Sequence, residues 1–186
     1  MNIKFKFLLL FVSFFFSSVA LSADAGGTYK LNHGDLLLVS VWGEETLQKE
    51  VRVLPDGSIT FPLAGRVEVA NETAPEVEKR ITEKLKVYLP DPQVTVVVAN
   101  TEGNKAYVIG KVIKPGPVQL TGSTTVLQAI SLAGGVDKFA DLNAIKVLRG
   151  SGKAQSTVPV NYNSLIKGQN LDSNILLNAG DTILVP

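Results

Sequence analysis

The sequence contains no cysteine and only one histidine, His33. The absence of thiols excludes a disulfide scaffold, a thiolate metal site, a cysteine nucleophile and a lipid-modified cysteine. A metal site or a catalytic triad needs partners that a single histidine in a turn does not have, so His33 is predicted to be a solvated loop residue. We therefore predict no metal site, no cofactor and no catalytic residue.

Long apolar runs are also absent, with one exception near the N-terminus at residues 7–16. Lys4 and Lys6 precede this run and small residues such as Ala20 and Ser22 follow it, which predicts a cleaved signal peptide over residues 1–22. The run is shorter than the ~20 residues that span a bilayer, and an uncleaved membrane anchor is the alternative. Export without disulfides is typical of the bacterial periplasm, where we expect the mature chain.

Neither sign of charge dominates, because the sequence contains 18 Lys and Arg residues and 17 Asp and Glu residues. This balance predicts neither nucleic acid nor an anionic membrane surface as a partner. The mature length suits one compact domain or two small ones.

One nonapeptide pattern, L-N-x-G-D-x-[LI]-L-V, occurs twice, at residues 31–39 and 177–185. Glycine adopts positive φ without steric cost and aspartate bonds nearby backbone N–H groups, so each copy predicts a Gly-Asp turn that opens a buried strand. Cation binding is the alternative, but Asp35 and Asp181 each offer one carboxylate, whereas hard cations prefer six or more oxygens. Turn capping is therefore the favoured interpretation.

The first half predicts several strands and one helix. Residues 58–63 are predicted to return on residues 50–54 through the turn Pro55-Asp56-Gly57. Residues 93–99 are apolar on both faces, which predicts a central or doubly covered strand. The helix begins at a capping box and carries an apolar stripe. The box is formed by Thr73 and Glu76 with Pro75 in the first turn, and the stripe by Val77, Ile81 and Leu85.

A polar segment at residues 101–105 predicts a linker and a domain boundary. The pattern beyond it predicts a helix at residues 124–133, ended by Gly134-Gly135, and strands at residues 106–113, 144–149 and 156–160 before the second Gly-Asp strand. The predicted fold is α+β, with two small domains that each combine a mixed β-sheet with a packed helix. Their predicted bounds are residues 23–103 and 104–186.

Two groups of motifs carry a family resemblance. Those of the first half are Tyr29-x-Leu31-x-x-Gly34-Asp35, Val41-Trp42-Gly43, Val53-x-Pro55-Asp56-Gly57-x-Ile59-x-x-Pro62-x-x-Gly65-x-Val67, and a helix followed by Tyr88, Pro92 and Val94. Those of the second half are Val108-Ile109-Gly110-x-Val112-x-x-Pro115-Gly116, Thr125-Val126-Leu127-x-Ala129-Ile130-x-x-Ala133-Gly134-Gly135, Val147-x-Arg149, and Leu177-x-x-Gly180-Asp181-x-Ile183-x-Val185-Pro186. Together they resemble the outer-membrane polysaccharide export (Wza-like) family: a polysaccharide export sequence domain followed by one SLBB (soluble-ligand-binding β-grasp) domain.

The resemblance implies a structural role rather than an enzymatic one. Members form homo-oligomeric rings through which capsular polysaccharide or exopolysaccharide passes, and they work with an inner-membrane polysaccharide copolymerase. The sequence stops at Pro186 without the C-terminal amphipathic helix of such relatives, and it lacks the lipid-bearing cysteine. We therefore expect a periplasmic protein associated with the outer membrane through partners, one of them a separate outer-membrane component for which a β-barrel is a candidate.

Two other classes of function stay open. One is a monomeric periplasmic carbohydrate- or ligand-binding module. The other is a polysaccharide-modifying enzyme, but no nucleophile–base pair is evident, and the acids Glu44 and Glu45 are only neighbours in sequence. A glycosidase needs two carboxylates that face each other across the substrate.

Three residues are candidate contacts for glycan or partner: Trp42, Lys114 and Arg149. Trp42, the only tryptophan, could stack on a sugar ring, although packing at the end of its strand is the favoured alternative. Lys114 and Arg149 belong to a basic group in the second half that could contact anionic polysaccharide or a partner. The favoured alternative is an ordinary solvated face, because acids are interspersed.

Overall fold

The computed structural model describes residues 28–186, and the predicted signal peptide lies outside this range. In the first half, the strands are β1 (Leu36–Val41), β2 (Glu44–Arg52), β3 (Ser58–Phe61), β4 (Gly65–Glu68) and β5 (Val94–Asn100), and the helix is α1 (Ala74–Leu85). Strands β2, β1 and β5 form an antiparallel sheet in that order, and β3 and β4 form a separate antiparallel hairpin.

The helix α1 begins and packs as its sequence predicts. The Glu76 carboxylate accepts a hydrogen bond from the backbone N–H of Thr73 at 2.7 Å, which satisfies a donor that the first helical turn leaves unpaired. Val77, Ile81 and Leu85 are fully buried. The Glu78 carboxylate also accepts the backbone N–H of Val96 at 2.9 Å and so ties the helix to β5.

The second half is built on one five-stranded sheet. Its strands are β6 (Lys105–Gly110), β7 (Gly116–Gln119), β8 (Ile145–Arg149), β9 (Ser156–Val160) and β10 (Thr182–Val185), and its helices are α2 (Val126–Leu132) and α3 (Tyr162–Leu165). The strand order is β7-β6-β10-β8-β9, and β10 runs parallel to β6 but antiparallel to β8, so this sheet is mixed. The α+β class predicted from the sequence is confirmed. The mixed sheet predicted for each half is found in the second half, whereas the sheets of the first half are antiparallel throughout because every pair of neighbouring strands there runs in opposite directions.

Each half has its own hydrophobic core. In the first half, α1 covers the inner face of the sheet formed by β2, β1 and β5, where Leu37 and Val39 are completely buried. In the second half, α2 packs on the five-stranded sheet around Val108, Val147 and Ile183. No helix within residues 28–186 is long and apolar enough to cross a bilayer.

Three further details of the first half differ from the sequence prediction. Strand β2 begins at Glu44 rather than near residue 50, because a mostly polar segment forms an edge strand that buries Leu47. Strand β3 pairs with β4 rather than with β2, so Pro55-Asp56-Gly57 turns the chain between two sheets. The prediction of a central position for β5 is wrong: β5 is an edge strand, and Val97 on its outer face is half exposed.

Candidate functional site

The two Gly-Asp turns have the same internal geometry. The first Gly-Asp turn comprises residues 31–35, and the second comprises residues 177–181. The Asp35 carboxylate accepts the backbone N–H of Asn32 at 2.8 Å, and the Asp181 carboxylate accepts the backbone N–H of Asn178 at the same distance. Both carboxylates are buried, and each caps its own turn by accepting this hydrogen bond. This confirms turn capping as their structural role.

The buried carboxylates differ in their remaining partners. Asp35 accepts the phenol of Tyr29 at 2.5 Å and the backbone N–H of Gly103 at 2.9 Å. Burial, and then the hydrogen bond to the Asp35 carboxylate, raise the pKa of Tyr29 well above its ordinary value. The raised pKa therefore keeps the phenol a donor to Asp35 even in alkaline conditions where a free tyrosine would ionise.

Arg149 is the partner of the second Gly-Asp turn. Its guanidinium donates to both oxygens of Asp181, from Nε at 3.0 and 3.1 Å and from Nη2 at 2.6 Å. Nη2 also donates to the Leu176 carbonyl at 2.7 Å. The hydrogen bonds to Asp181 raise the pKa of Arg149. About a third of the Arg149 side chain is exposed, whereas Asp181 is 1% exposed, so the arginine compensates a buried charge.

Both turns hold the segment that joins the two halves. The Asp35 carboxylate accepts the N–H of Gly103, and Gly180 donates its own N–H to the Lys105 carbonyl at 2.9 Å. A Cβ atom on Gly103 would lie 2.2 Å from the His33 carbonyl oxygen, so only glycine permits this approach. The predicted linker is therefore a packed junction between the two halves.

A cavity of about 580 Å³ lies at this junction. Asn32 of the first Gly-Asp turn and Asn178 of the second both line it, together with Asn71 and Asn104. Sequence reasoning missed this cavity, because its walls come from segments that are far apart in the chain.

Trp42 is 87% exposed, which contradicts the favoured interpretation that it packs at the end of its strand. It occupies the two-residue turn between β1 and β2, where Gly43 has φ of +79°. The backbone N–H of Trp42 donates to the Gln93 carbonyl at 2.9 Å and fixes the turn to the start of β5. The ring therefore projects into solvent from a constrained backbone.

The three candidate contact residues lie on separate elements. Trp42 lies in the β1–β2 turn, the exposed Lys114 lies between β6 and β7, and Arg149 ends β8. Among the hydrogen bonds and ion pairs of the described chain, none joins two of them. Their role as glycan or partner contacts stays a prediction. Residues 28–186 contain no group of three or more potential metal ligands.

Comparison with known proteins gives a match in each half. Residues 23–99 match the family described as polysaccharide biosynthesis/export protein, and residues 104–185 match the SLBB domain. The chain therefore combines a polysaccharide export domain with an SLBB domain.

Several curated proteins are similar over most of the chain. The polysialic acid transport protein KpsD of Escherichia coli is 32% identical over 171 residues, covering 88% of this chain and 30% of KpsD. The EPS I polysaccharide export outer membrane protein EpsA of Ralstonia nicotianae is 28% identical, covering 84% of this chain and 47% of EpsA. The capsule polysaccharide export protein BexD of Haemophilus influenzae is 25% identical, covering 86% of this chain and 44% of BexD.

The chain is distantly homologous to polysaccharide export proteins, a non-enzymatic family. It spans less than half the length of these relatives.

Proposed function

We propose that the chain is a periplasmic, ring-forming component of a conduit that exports capsular polysaccharide or exopolysaccharide. The observation that carries this proposal is the consecutive match of both halves to a polysaccharide export domain and an SLBB domain. The mechanism is confinement and passage. Identical subunits form a ring through heterologous contacts that close on themselves, and a hydrated polymer crosses the lumen.

The packed junction between the halves supports a ring. Heterologous contacts close only when every subunit repeats the same rotation, so a ring subunit needs a fixed shape. Beyond the Gly103–Asp35 contact, Arg52 forms an ion pair with Glu102 at 2.7 Å. From the second half, the side chain of Gln119 in β7 donates to the Asn104 carbonyl of the joining segment at 2.9 Å. These contacts hold the joining segment against both halves.

The proposal includes the partners implied by the resemblance. The ring would receive polysaccharide from an inner-membrane copolymerase and pass it to a separate outer-membrane component. The relative from Ralstonia nicotianae is named as an outer membrane protein, which supports a place beside that membrane. We place the chain in the periplasm, associated with the outer membrane through these partners.

A second candidate function is a monomeric periplasmic carbohydrate- or ligand-binding module. The observation that favours it is the exposed Trp42, which lies beside a surface groove. A module of this kind would bind one ligand at a time and would have no need to assemble.

The mass of the native protein in solution separates the two functions. The mature chain is purified from the periplasm of cells that express the full gene. We expect it to elute from a size-exclusion column as one oligomer of many subunits, with the mass measured by light scattering. The same measurement should be repeated with the detergent-solubilised copolymerase. An oligomer in either sample supports the ring, whereas a monomer in both contradicts it and favours the binding module.

A further inference from the structure

The surface beside Trp42 is a groove of about 470 Å³, which we call the Trp42 groove. This volume lies within the range of small-molecule sites in proteins. Besides Val41 and Gly43, the residues that line the groove are Ser40, Trp42, Glu44, Glu45, Gln48 and Thr95. They come from the β1–β2 hairpin and from the neighbouring edge strand β5.

The backbone beneath the aromatic ring is anchored before any ligand arrives. Val41 and Glu44 pair across the hairpin, so Trp42 and Gly43 form its two-residue tip. The hydrogen bond from the Trp42 N–H to Gln93 anchors that tip to β5. An anchored backbone reduces the conformational entropy that is lost when Trp42 contacts a ligand.

The chemistry of the groove suits a carbohydrate. The face of a tryptophan ring packs on the C–H groups of a sugar, and its N–H can donate to a hydroxyl. The Gln48 amide, the Ser40 and Thr95 hydroxyls and the two carboxylates supply further donors and acceptors around it.

The charge of the groove selects the kind of sugar. None of its described lining residues is basic, and neither Glu44 nor Glu45 forms an ion pair within residues 28–186. Two uncompensated carboxylates repel an anionic glycan. They attract the ammonium group of an amino sugar, which the tryptophan face also attracts.

We propose that the Trp42 groove is a contact site for the exported polymer that prefers amino sugars, accepts neutral sugars more weakly and rejects polyanionic glycans. This inference rests on the proposed export function, because it assigns the groove to the polymer in transit. A second copy of the chain is the other possible occupant of an exposed tryptophan, and the experiment below distinguishes the two.

The experiment uses Trp42 as its own reporter, because it is the only tryptophan in the sequence. The emission of the mature protein is recorded during titration with oligomers of glucosamine, of N-acetylglucosamine and of galacturonic acid. The first two share one backbone and differ in charge, and the third is a polyanion. We expect a saturable emission change with glucosamine oligomers, saturation at tenfold or higher concentration with N-acetylglucosamine oligomers, and no saturable change with the polyanion.

Variants then assign the effect to the groove. Glu44→Gln and Glu45→Gln should each weaken binding of glucosamine oligomers by about fivefold, since one charge pair near the surface contributes on the order of a factor of five. Both should leave N-acetylglucosamine binding within twofold of the original. In calorimetry, Trp42→Ala should abolish binding of both oligomers. Tyr88→Ala, which removes another exposed aromatic side chain of the same half, should not change it.

Three results would overturn the inference: no saturable change with any sugar, an equal response to the polyanion, or an emission shift that follows protein concentration and not sugar. The last would assign Trp42 to a contact between copies. The mass in solution distinguishes a failure of the Trp42 groove proposal from a failure of the ring proposal. A ring that binds no sugar refutes only the groove, and a monomer that binds amino sugars refutes only the ring.

Discussion

Replacing Gly110 with alanine is expected to lower the free energy of unfolding of the second half by about 4 kcal/mol, combining the costs of a left-handed residue and of overpacking. Gly110 ends β6 with φ of +96°, opposite Val185 in the parallel pair of β6 and β10. A Cβ atom there would lie 1.9 Å from the Val185 carbonyl oxygen. That oxygen also accepts the Lys111 N–H at 2.7 Å, so it cannot move away without losing this bond.

Amide hydrogen exchange in β6 and β10 measures the effect, because Trp42 lies in the other half and its fluorescence does not report on this sheet. Gly180→Ala is the matched control. Gly180 has φ of +85° but nothing within 4 Å of the added Cβ atom, so only the backbone cost of about 1 kcal/mol applies. Equal losses in the two variants would show that the clash with Val185 is not the cause.

Replacing Arg149 with methionine is expected to cost about 3 kcal/mol of stability, near the lower end of the range for broken buried ion pairs. The Asp181 carboxylate is 1% exposed and would lose its only compensating cation among the described residues. The hydrogen bond from the Asn178 N–H remains but does not neutralise the charge. The estimate is at the lower end because a third of the Arg149 side chain is already exposed to water.

A double variant tests this explanation. Adding Asp181→Asn to Arg149→Met removes the unpaired charge, and we expect it to recover at least half of the lost stability in chemical denaturation. Lys146→Met is the control on the same strand, since Lys146 forms no ion pair in the described chain, and its cost should stay within about 0.5 kcal/mol. If Arg149→Met costs no more than this control, the guanidinium is available for a contact outside the chain.

The features that sequence predicts well are those decided by neighbouring residues. The start of α1 depends on Thr73 and Glu76, three positions apart, and its buried face depends on a spacing of four. The Gly-Asp turns are equally local, because Asp35 and Asp181 cap residues three positions earlier. In such places the local sequence contains all the interacting groups.

The features that sequence missed depend on distant partners. Gly103 and Asp35 are 68 positions apart, and Arg149 and Asp181 are 32 apart, so neither pair leaves a local pattern. Strand β5 has apolar residues on both faces, but its position at the sheet edge is set by which strands pair with β1. The exposure of Trp42 follows from the hairpin tip, because a two-residue turn directs its side chain away from the core.

The central claim, that this chain is part of a polysaccharide export conduit, is tested most directly by deleting the gene and measuring polysaccharide at the cell surface and in the periplasm. Complementation with the wild-type gene is the control. The export function predicts that surface polysaccharide is lost, that polymer accumulates inside the outer membrane and that the wild-type gene restores export. Unchanged surface polysaccharide in the deletion strain would contradict it.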